Sequence, residues 1–349
     1  MKKNPVNRKM KTLATLFLAG MMTVGGAFCA LADAPIVAAE EPVCEDISRL
    51  DLAKLYELVN ENTTNPAETF TFNIEKVGAA QSQLTAETMP SFANASYTVA
   101  FAEGEATVNG DVNTTQIALP DFDYVGVYTY KITEVDGGTA GVTYETKPIT
   151  LTVTVTNCST GDATLDRHYT MAFAGETAEK IEEIENSYSA GGLTVTKHVT
   201  GILGDKQKEF HVNVEFTAPA GDTVRSTITY VDGTSISTIA PTAWTDGKAT
   251  AQITLKHGES VAFTNIPYGV TYTVTEVEAN QDDYTTTTTY TDDTNKRIDS
   301  VSDEVTIVNH KGGDLTEGID QDVLPYVGAG LLLGILGVIT AIRRRKLSR

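Results

Sequence analysis

The chain has 349 residues, 26 of them basic and 46 acidic, for a formal charge of −20 at pH 7. Ten of the basic residues lie in two end segments, 1–32 and 324–349, that hold no acidic residue, so the body from Asp33 to Val323 carries 16 basic against 46 acidic groups, a net of −30. Such a body repels phosphate backbones, which excludes nucleic acid as a partner, and three cysteines in the whole chain exclude a disulfide scaffold.

The N-terminus reads as a processing signal. Lys2, Lys3, Arg8, Lys9 and Lys11 precede an apolar run from Leu13 to about Leu31, and Ala30-Leu31-Ala32 supplies a small-x-small cleavage site. That layout is a secretory signal peptide, 1–32, and lies outside the fold. Phe28 before Cys29 argues against a lipoprotein. A linker, 33–46, follows.

From Ile47 to Lys311 nearly everything reads as strands and turns. ETFTFNIEKV, YTYKITEV, ITLTVTVTN, FHVNVEF, ATAQITL and TYTVTEV alternate apolar with Thr or charged positions and are rich in β-branched residues. Asn109-Gly110, Asp136-Gly137-Gly138, Asp232-Gly233 and Asp246-Gly247 mark turns between them. The expected class is all-β: two tandem Ig-like sandwiches, at 47–188 and 193–311. Ser189-Ala190-Gly191-Gly192 is the expected hinge (189–192), and a Gly/Asp-rich stalk covers 312–323. AEKIEEIEN also fits a short amphipathic helix through Ile181 and Ile184, an alternative that bears on Asn186.

The boundaries rest on a repeat. Lysine, glutamate and asparagine occur in the same order twice: Lys54, Glu134 and Asn186, then Lys197, Glu276 and Asn309. The Lys-to-Glu spacings match, at 80 and 79, whereas the Glu-to-Asn spacings are 52 and 33, which places an insertion late in the first domain. Side chains alternate faces along a strand. Leu50, Leu52 and Lys54 therefore share a face, as do Tyr130, Ile132 and Glu134; Leu193, Val195 and Lys197; Tyr272, Val274 and Glu276; and Val305, Ile307 and Asn309. Each triad points inward.

Charged side chains are almost never buried unless paired, so a buried Lys–Glu ion pair beside a hydrogen-bonding Asn is one reading. The repeat favours another. A dry core lowers the lysine pKa and raises that of the glutamate, making the amine a nucleophile. The acid then hydrogen-bonds the asparagine carbonyl oxygen and protonates departing ammonia. The product is an isopeptide amide joining Lys54 to Asn186 and Lys197 to Asn309, formed once, with Glu134 and Glu276 catalysing. Each link would join the first strand of its domain to the last. No motif for a cofactor, nucleotide or metallohydrolase site is present, and turnover by the glutamates as a hydrolase would need solvent access that inward parity denies.

The chain closes with Leu324-Pro325-Tyr326-Val327-Gly328, an apolar stretch ending at Ile342, and Arg343, Arg344, Arg345 and Lys346. Read alone, 324–349 is a single-pass anchor with a cytoplasmic basic stop, its apolar run somewhat short of the ~20 residues that span a bilayer. The order resembles a Gram-positive sorting signal of the LPxTG type, with Val327 in place of the threonine. That likeness implies sortase cleavage after Val327 and transfer of the new carboxyl end to an amine.

LTVTKHVTG, PYGVTYTVTEVEANQDDYTTT and EVTIVNHK resemble the second domain of streptococcal-type Gram-positive backbone pilins, which carry two isopeptide-linkage (CnaB-like) domains. LDLAKLYELVN, ETFTFNIE and YKITEV resemble the first domain more loosely. The resemblance implies the same linked and catalytic residues, no cofactor, and a secreted subunit held at the membrane before sorting. Its implied partners are a class C-type pilin sortase, a housekeeping sortase, identical subunits head to tail, minor pilins and peptidoglycan. It further implies a surface lysine late in the first domain that receives the next subunit; Lys180 is the positional match and Lys147 the substitute. A monomeric wall-anchored adhesin built from the same domains is the alternative.

Two weaker signals complete the reading. Cys44 precedes the first strand of domain one, and Cys158 follows ITLTVTVTN, expected to run antiparallel to the last strand. Both places fall at one end of the sandwich, so they form either an extracellular disulfide or two free thiols. His198 and His310 each follow a triad residue and point outward from neighbouring strands, where surface histidines are the default and no further ligand completes a metal site.

Overall fold

A computed structural model of the chain describes residues 46–158, 165–175 and 180–312. The expected signal peptide, most of the linker with Cys44, nearly all of the stalk, and the sorting motif Leu324–Gly328 with its apolar run lie outside these residues. Among the described residues no helix is long and apolar enough to cross a membrane.

The alternating segments form strands throughout. The first sandwich holds β1 (Arg49–Leu58), β2 (Glu68–Ala80), β3 (Ser96–Phe101), β4 (Asp111–Ala118), β5 (Gly126–Val135), β6 (Val142–Thr143), β7 (Ile149–Asn157), β8 (Leu165–Phe173) and β9 (Glu183–Tyr188). A four-stranded sheet, β4-β1-β9-β6, faces a five-stranded one, β3-β2-β5-β7-β8. The second sandwich holds β10 (Ala190–Thr200), β11 (Phe210–Thr217), β12 (Ile228–Asp232), β13 (Ser235–Ile239), β14 (Lys248–Leu255), β15 (Ser260–Pro267), β16 (Thr271–Glu276), β17 (Thr285–Tyr290) and β18 (Ser302–His310). Its sheets run β13-β12-β15-β10-β18-β17 and β14-β11-β16.

Period-two burial follows the sequence pattern: Leu50, Leu52 and Lys54 are buried, and so are Leu193, Val195 and Lys197. In each sandwich the first and last strands are parallel neighbours, β1 with β9 and β10 with β18. The stretch open to a helical reading is strand over Glu183–Tyr188, because Ile184 and Asn186 point into the core while Glu183 and Glu185 do not. The long Glu-to-Asn spacing of the first domain is the β7–β8 hairpin. β7 is not beside the last strand; it lies in the facing sheet between β5 and β8, since its alternating Ile149, Leu151, Val153 and Val155 cover that side of the core.

The expected hinge at 189–192 is a correction. Ala190 and Gly191 already pair with Pro267 and Ile266 as the start of β10, and only Ser189 separates the last strand of one sandwich from the first strand of the next. The glycines serve close packing here instead of flexibility. A Cβ on Gly191 would sit 2.2 Å from the Ser300 carbonyl oxygen, backbone that cannot move aside cheaply. Gly191→Ala is therefore expected to destabilise the second sandwich by about 1–3 kcal/mol. Gly78→Ala, where a Cβ meets nothing within 4 Å, should be near neutral; urea unfolding of the two variants side by side checks the contrast.

Candidate functional site

Both triads assemble, and in the same way. Lys54 pairs in register with Ile184, and Tyr56, two residues on, with Asn186. Lys197 pairs with Ile307, and Val199, two residues on, with Asn309. Strands ~4.8 Å apart and an offset of two residues put the two Cα atoms about 8 Å apart on one face, a gap that a lysine and an asparagine side chain span together. The glutamate descends from the opposite sheet: Glu134 on β5 lies across from Phe72 of β2, and Glu276 on β16 across from Val212 of β11.

In the second sandwich the carboxyl bridges its neighbours. Lys197 Nζ stands 2.7 Å from Glu276 Oε2, and Asn309 Nδ2 donates to Glu276 Oε1 at 2.6 Å. In the first, Asn186 Nδ2 donates to Glu134 Oε1 at 2.6 Å, but Lys54 Nζ lies 3.6 Å from Oε2. That oxygen is occupied, accepting the backbone N–H of Glu145 at 3.0 Å. All four lysine and glutamate side chains are fully shielded from solvent. The Oδ1 atoms of Asn186 and Asn309 and the Nζ of Lys54 have no hydrogen-bond partner.

Burial governs the charge states. It lowers Lys54 to about 8 against the opposing pull of Glu134. It also raises Glu134 above the usual carboxylate range, against the attraction of Lys54. Lys197 is likewise lowered by burial, opposed by its bond to Glu276. In the first pair both shifts favour neutral amine with neutral acid.

One recurring residue escaped sequence reasoning. Lys54 Nζ sits 4.8 Å from the ring centre of Phe70, and Lys197 Nζ 4.4 Å from that of Phe210. Each phenylalanine lies two residues before the position opposite the glutamate, so the two are equivalent lids that keep water from the amine. Aromatic faces attract cations, yet the lysines are still lowered because desolvation is the larger effect. ETF and KEF, with a phenylalanine two residues and one residue after a glutamate, were the available signal.

The other predicted residues fall as follows. Lys180 and Lys147 are both exposed and flank the same end of β8: Ile181 N–H donates to the Met171 carbonyl, and Lys147 Nζ lies 5.5 Å over the Phe173 ring. Cys158 is disulfide-bonded; Cys44, its expected partner, is outside the described residues. Asp46 holds Arg167 of β8 through two side-chain bonds of 2.8 and 2.6 Å, which places Asp46 at the β7–β8 end of the sandwich. His198 packs 5.8 Å from His257, and His310 bonds Thr200 at 3.0 Å. Among the described residues no group of three or more His, Cys, Asp or Glu is placed to hold a metal ion.

Comparison with known proteins adds a family. Residues 50–189 match the family described as "Spy0128-like isopeptide containing domain", and residues 191–311 match a "Domain of unknown function (DUF7601)". A protein described as "Pilin" from Streptococcus pyogenes serotype M1 is 28% identical over 314 residues, 82% of this chain and 87% of that one. The crystal structure of the major pilin from Streptococcus pyogenes superimposes with a TM-score of 0.52 at 25% identity, covering 76% of this chain and 99% of that one. The chain is similar to streptococcal major pilins over most of its length. A shorter likeness, 38% identity over 87 residues, links the chain to "Pilus tip adhesin Cpa" of Streptococcus pyogenes, across 25% of this chain and 12% of that protein.

The dry lysine of the first sandwich has a measurable consequence. In an Asn186→Ala variant, with no amide to consume the amine, folded Lys54 loses its proton at about pH 8 and unfolded Lys54 at 10.5. Between those values the unfolded chain binds more protons, so stability rises with pH across that window. The gain is at most roughly 3 kcal/mol. Urea midpoints compared with a Lys54→Met, Asn186→Ala control isolate it, and identical pH profiles would contradict a desolvated amine.

Proposed function

We propose that each sandwich of this backbone pilin seals itself with a lysine–asparagine isopeptide bond, and that the sealed subunits are joined by sortases into a wall-anchored pilus. The observation that supports this reading is one buried carboxyl, repeated in both sandwiches, that faces an amine with one oxygen and an amide with the other.

The chemistry follows from that placement. Glutamate Oε2 takes the lysine proton, and the neutral amine attacks asparagine Cγ, forming the new C–N bond. Sequence reasoning had the acid facing the carbonyl oxygen, whereas the amide nitrogen faces it. At 2.6 Å that contact is short for N–H···O and has the length of O–H···O. A half-turn of the amide about Cβ–Cγ seats Oδ1 on the acid, satisfies an orphaned acceptor and polarises the carbonyl. The bond to Nδ2 then breaks, and the nitrogen leaves as ammonia with the proton relayed by the glutamate. One amine and one amide give one substituted amide and one ammonia, without an external reagent. Fixed positions on paired strands replace a bimolecular encounter. A hydrolase role is disfavoured because no substrate reaches a side chain fully closed to solvent.

Each link closes more than a hundred residues, worth roughly 5 kcal/mol in the chain-entropy account. The sorting signal at 324–349, with Leu324-Pro325-Tyr326-Val327-Gly328 as its cleavage motif, supplies the carboxyl end, and Lys180 or Lys147 supplies the accepting amine. The 87-residue likeness to a tip adhesin favours a second reading, a monomeric adhesin with the same self-sealing domains. A covalent ladder in denaturing gels of wall extracts, shortened to monomer by Lys180→Ala or by Lys147→Ala, supports the shaft; a single monomer band supports the adhesin.

Intact mass tests the cross-links directly. The processed chain should be lighter than its sequence by one ammonia per sandwich, with Glu134→Ala and Glu276→Ala each restoring one. The longer Lys54 contact, and the Glu145 N–H that favours ionised Glu134, give an order as well. During refolding the second sandwich should lose its ammonia before the first, as followed by peptide mass mapping over time. Full mass retention in the wild-type chain would end the proposal.

A further inference from the structure

We infer that the junction between the two sandwiches is a fixed joint, latched by side chains from both, so that the pair moves as one rod. Each proposed link lies within a sandwich, and between Asn186 and Lys197 only backbone connects them. What resists bending there is non-covalent, and it is built in two seams.

The first seam uses two asparagines. Asn60 Nδ2 donates to the Ala190 carbonyl and to Tyr268 Oη, both at 2.8 Å. Asn265 answers from the second sandwich. Its Oδ1 accepts the Thr64 N–H at 3.0 Å and its Nδ2 donates to the Thr64 carbonyl at 3.0 Å, so one side-chain amide pairs with one residue's backbone as a strand neighbour would. Asn265 holds a positive φ of 61° to reach that position, a conformation that costs a non-glycine residue energy and persists where surroundings impose it.

The second seam is backbone and charge. Thr139 and Thr223 form a parallel bridge, with Thr223 N–H donating to the Gly138 carbonyl at 2.7 Å and Ala140 N–H to the Thr223 carbonyl at 3.0 Å. Beside it Glu68, with its side chain 1% exposed, stands 3.6 Å from Arg225 of the second sandwich. Removing Arg225, whose own side chain is half-exposed, leaves the buried Glu68 carboxyl uncompensated.

Packing crosses the boundary in both directions. Ala140, from the first sandwich, is buried in the core of the second, and Ala190, the first residue of β10, is buried in the core of the first. Gly141 is the residue that permits this: a Cβ there would lie 2.6 Å from the Ser189 carbonyl and 3.0 Å from Pro267. Domains that interlock cores and share backbone bonds lose the independent motion expected of a tandem pair with a polar interface.

Spin labels test the joint. Cysteines introduced at the exposed positions Val112 and Ile236 of the processed chain report one distance across the junction by pulsed electron paramagnetic resonance. The expected result is a single narrow distribution, lost in an Asn60→Ala, Arg225→Ala, Asn265→Ala variant. A broad distribution in the parent chain, or an equally narrow one in the triple variant, overturns the joint. Intact mass on the same samples keeps this separate from the cross-link chemistry. An ammonia deficit in the variant shows that each sandwich still folds, and a narrow parent distribution without any deficit leaves the joint standing while the isopeptide proposal fails. Circular dichroism of the variant gives the same folding check independently of the bonds.

Discussion

Exclusion of water from a carboxyl held between an amine and an amide is the constraint on which the rest of the structure depends. In water the amine would stay protonated and the carboxyl ionised, and the pair would be an ordinary salt bridge. Sealed under Phe70 or Phe210, both charged forms lose hydration, and Lys54 moves down to about 8 while Glu134 moves up. A buried ion pair is weak support for stability, because desolvation cancels much of its attraction. Its retention in both sandwiches makes sense if the unfavourable state is a reactant and the neutral amide its product. The fold then supplies the destabilised ground state, and bond formation removes it.

That requirement explains which features the two sandwiches share and which they do not. Each has nine strands, but these divide four and five in the first and six and three in the second, and only the first carries a hairpin such as β7–β8 between its glutamate strand and its last strand. They agree on the parallel pairing of first and last strands, on the offset of two residues between lysine and asparagine, and on a glutamate from the facing sheet two positions past an aromatic lid. An antiparallel or slipped register would turn the asparagine away from the lysine, since one residue reverses the face. The conserved part of the geometry is what places three side chains together; the remainder is free to vary around it.

Sequence made the site legible because burial on a strand is a matter of parity. Lys54 and Glu134 could be assigned inward from their own neighbours, Asn186 only if its stretch is strand, and the repeat at Lys197, Glu276 and Asn309 made coincidence implausible. Parity does not name the partner across the core, so Phe70, Phe210, the Glu145 N–H and the place of β7 in the facing sheet went unseen. The 189–192 error has a different source. Ser-Ala-Gly-Gly carries the composition of a flexible linker, yet Gly191 is there because Ser300 approaches its Cα. Glycine marks either freedom or crowding, and only the long-range fold distinguishes them.

The same ambiguity bears on how a filament of such subunits carries load. With each sandwich closed between its end strands by the proposed bond, the covalent path from one bridge to the next would run from Asn186 to Lys197, through Ser189 and the start of β10. A loose tether there would let every subunit bend at its middle, however well each half is cross-linked. A Gly-rich turn would provide that freedom, but this junction buries Gly191 and pairs the backbone of both glycines. Hydrogen bonds are modest individually, about 0.5–1.5 kcal/mol each, so none of these contacts alone would hold the angle. Spread over two seams and two exchanged alanines, they must break together for the rod to fold. Stiffness at the joint is then cooperative, whereas the proposed bonds would make stiffness within each sandwich covalent.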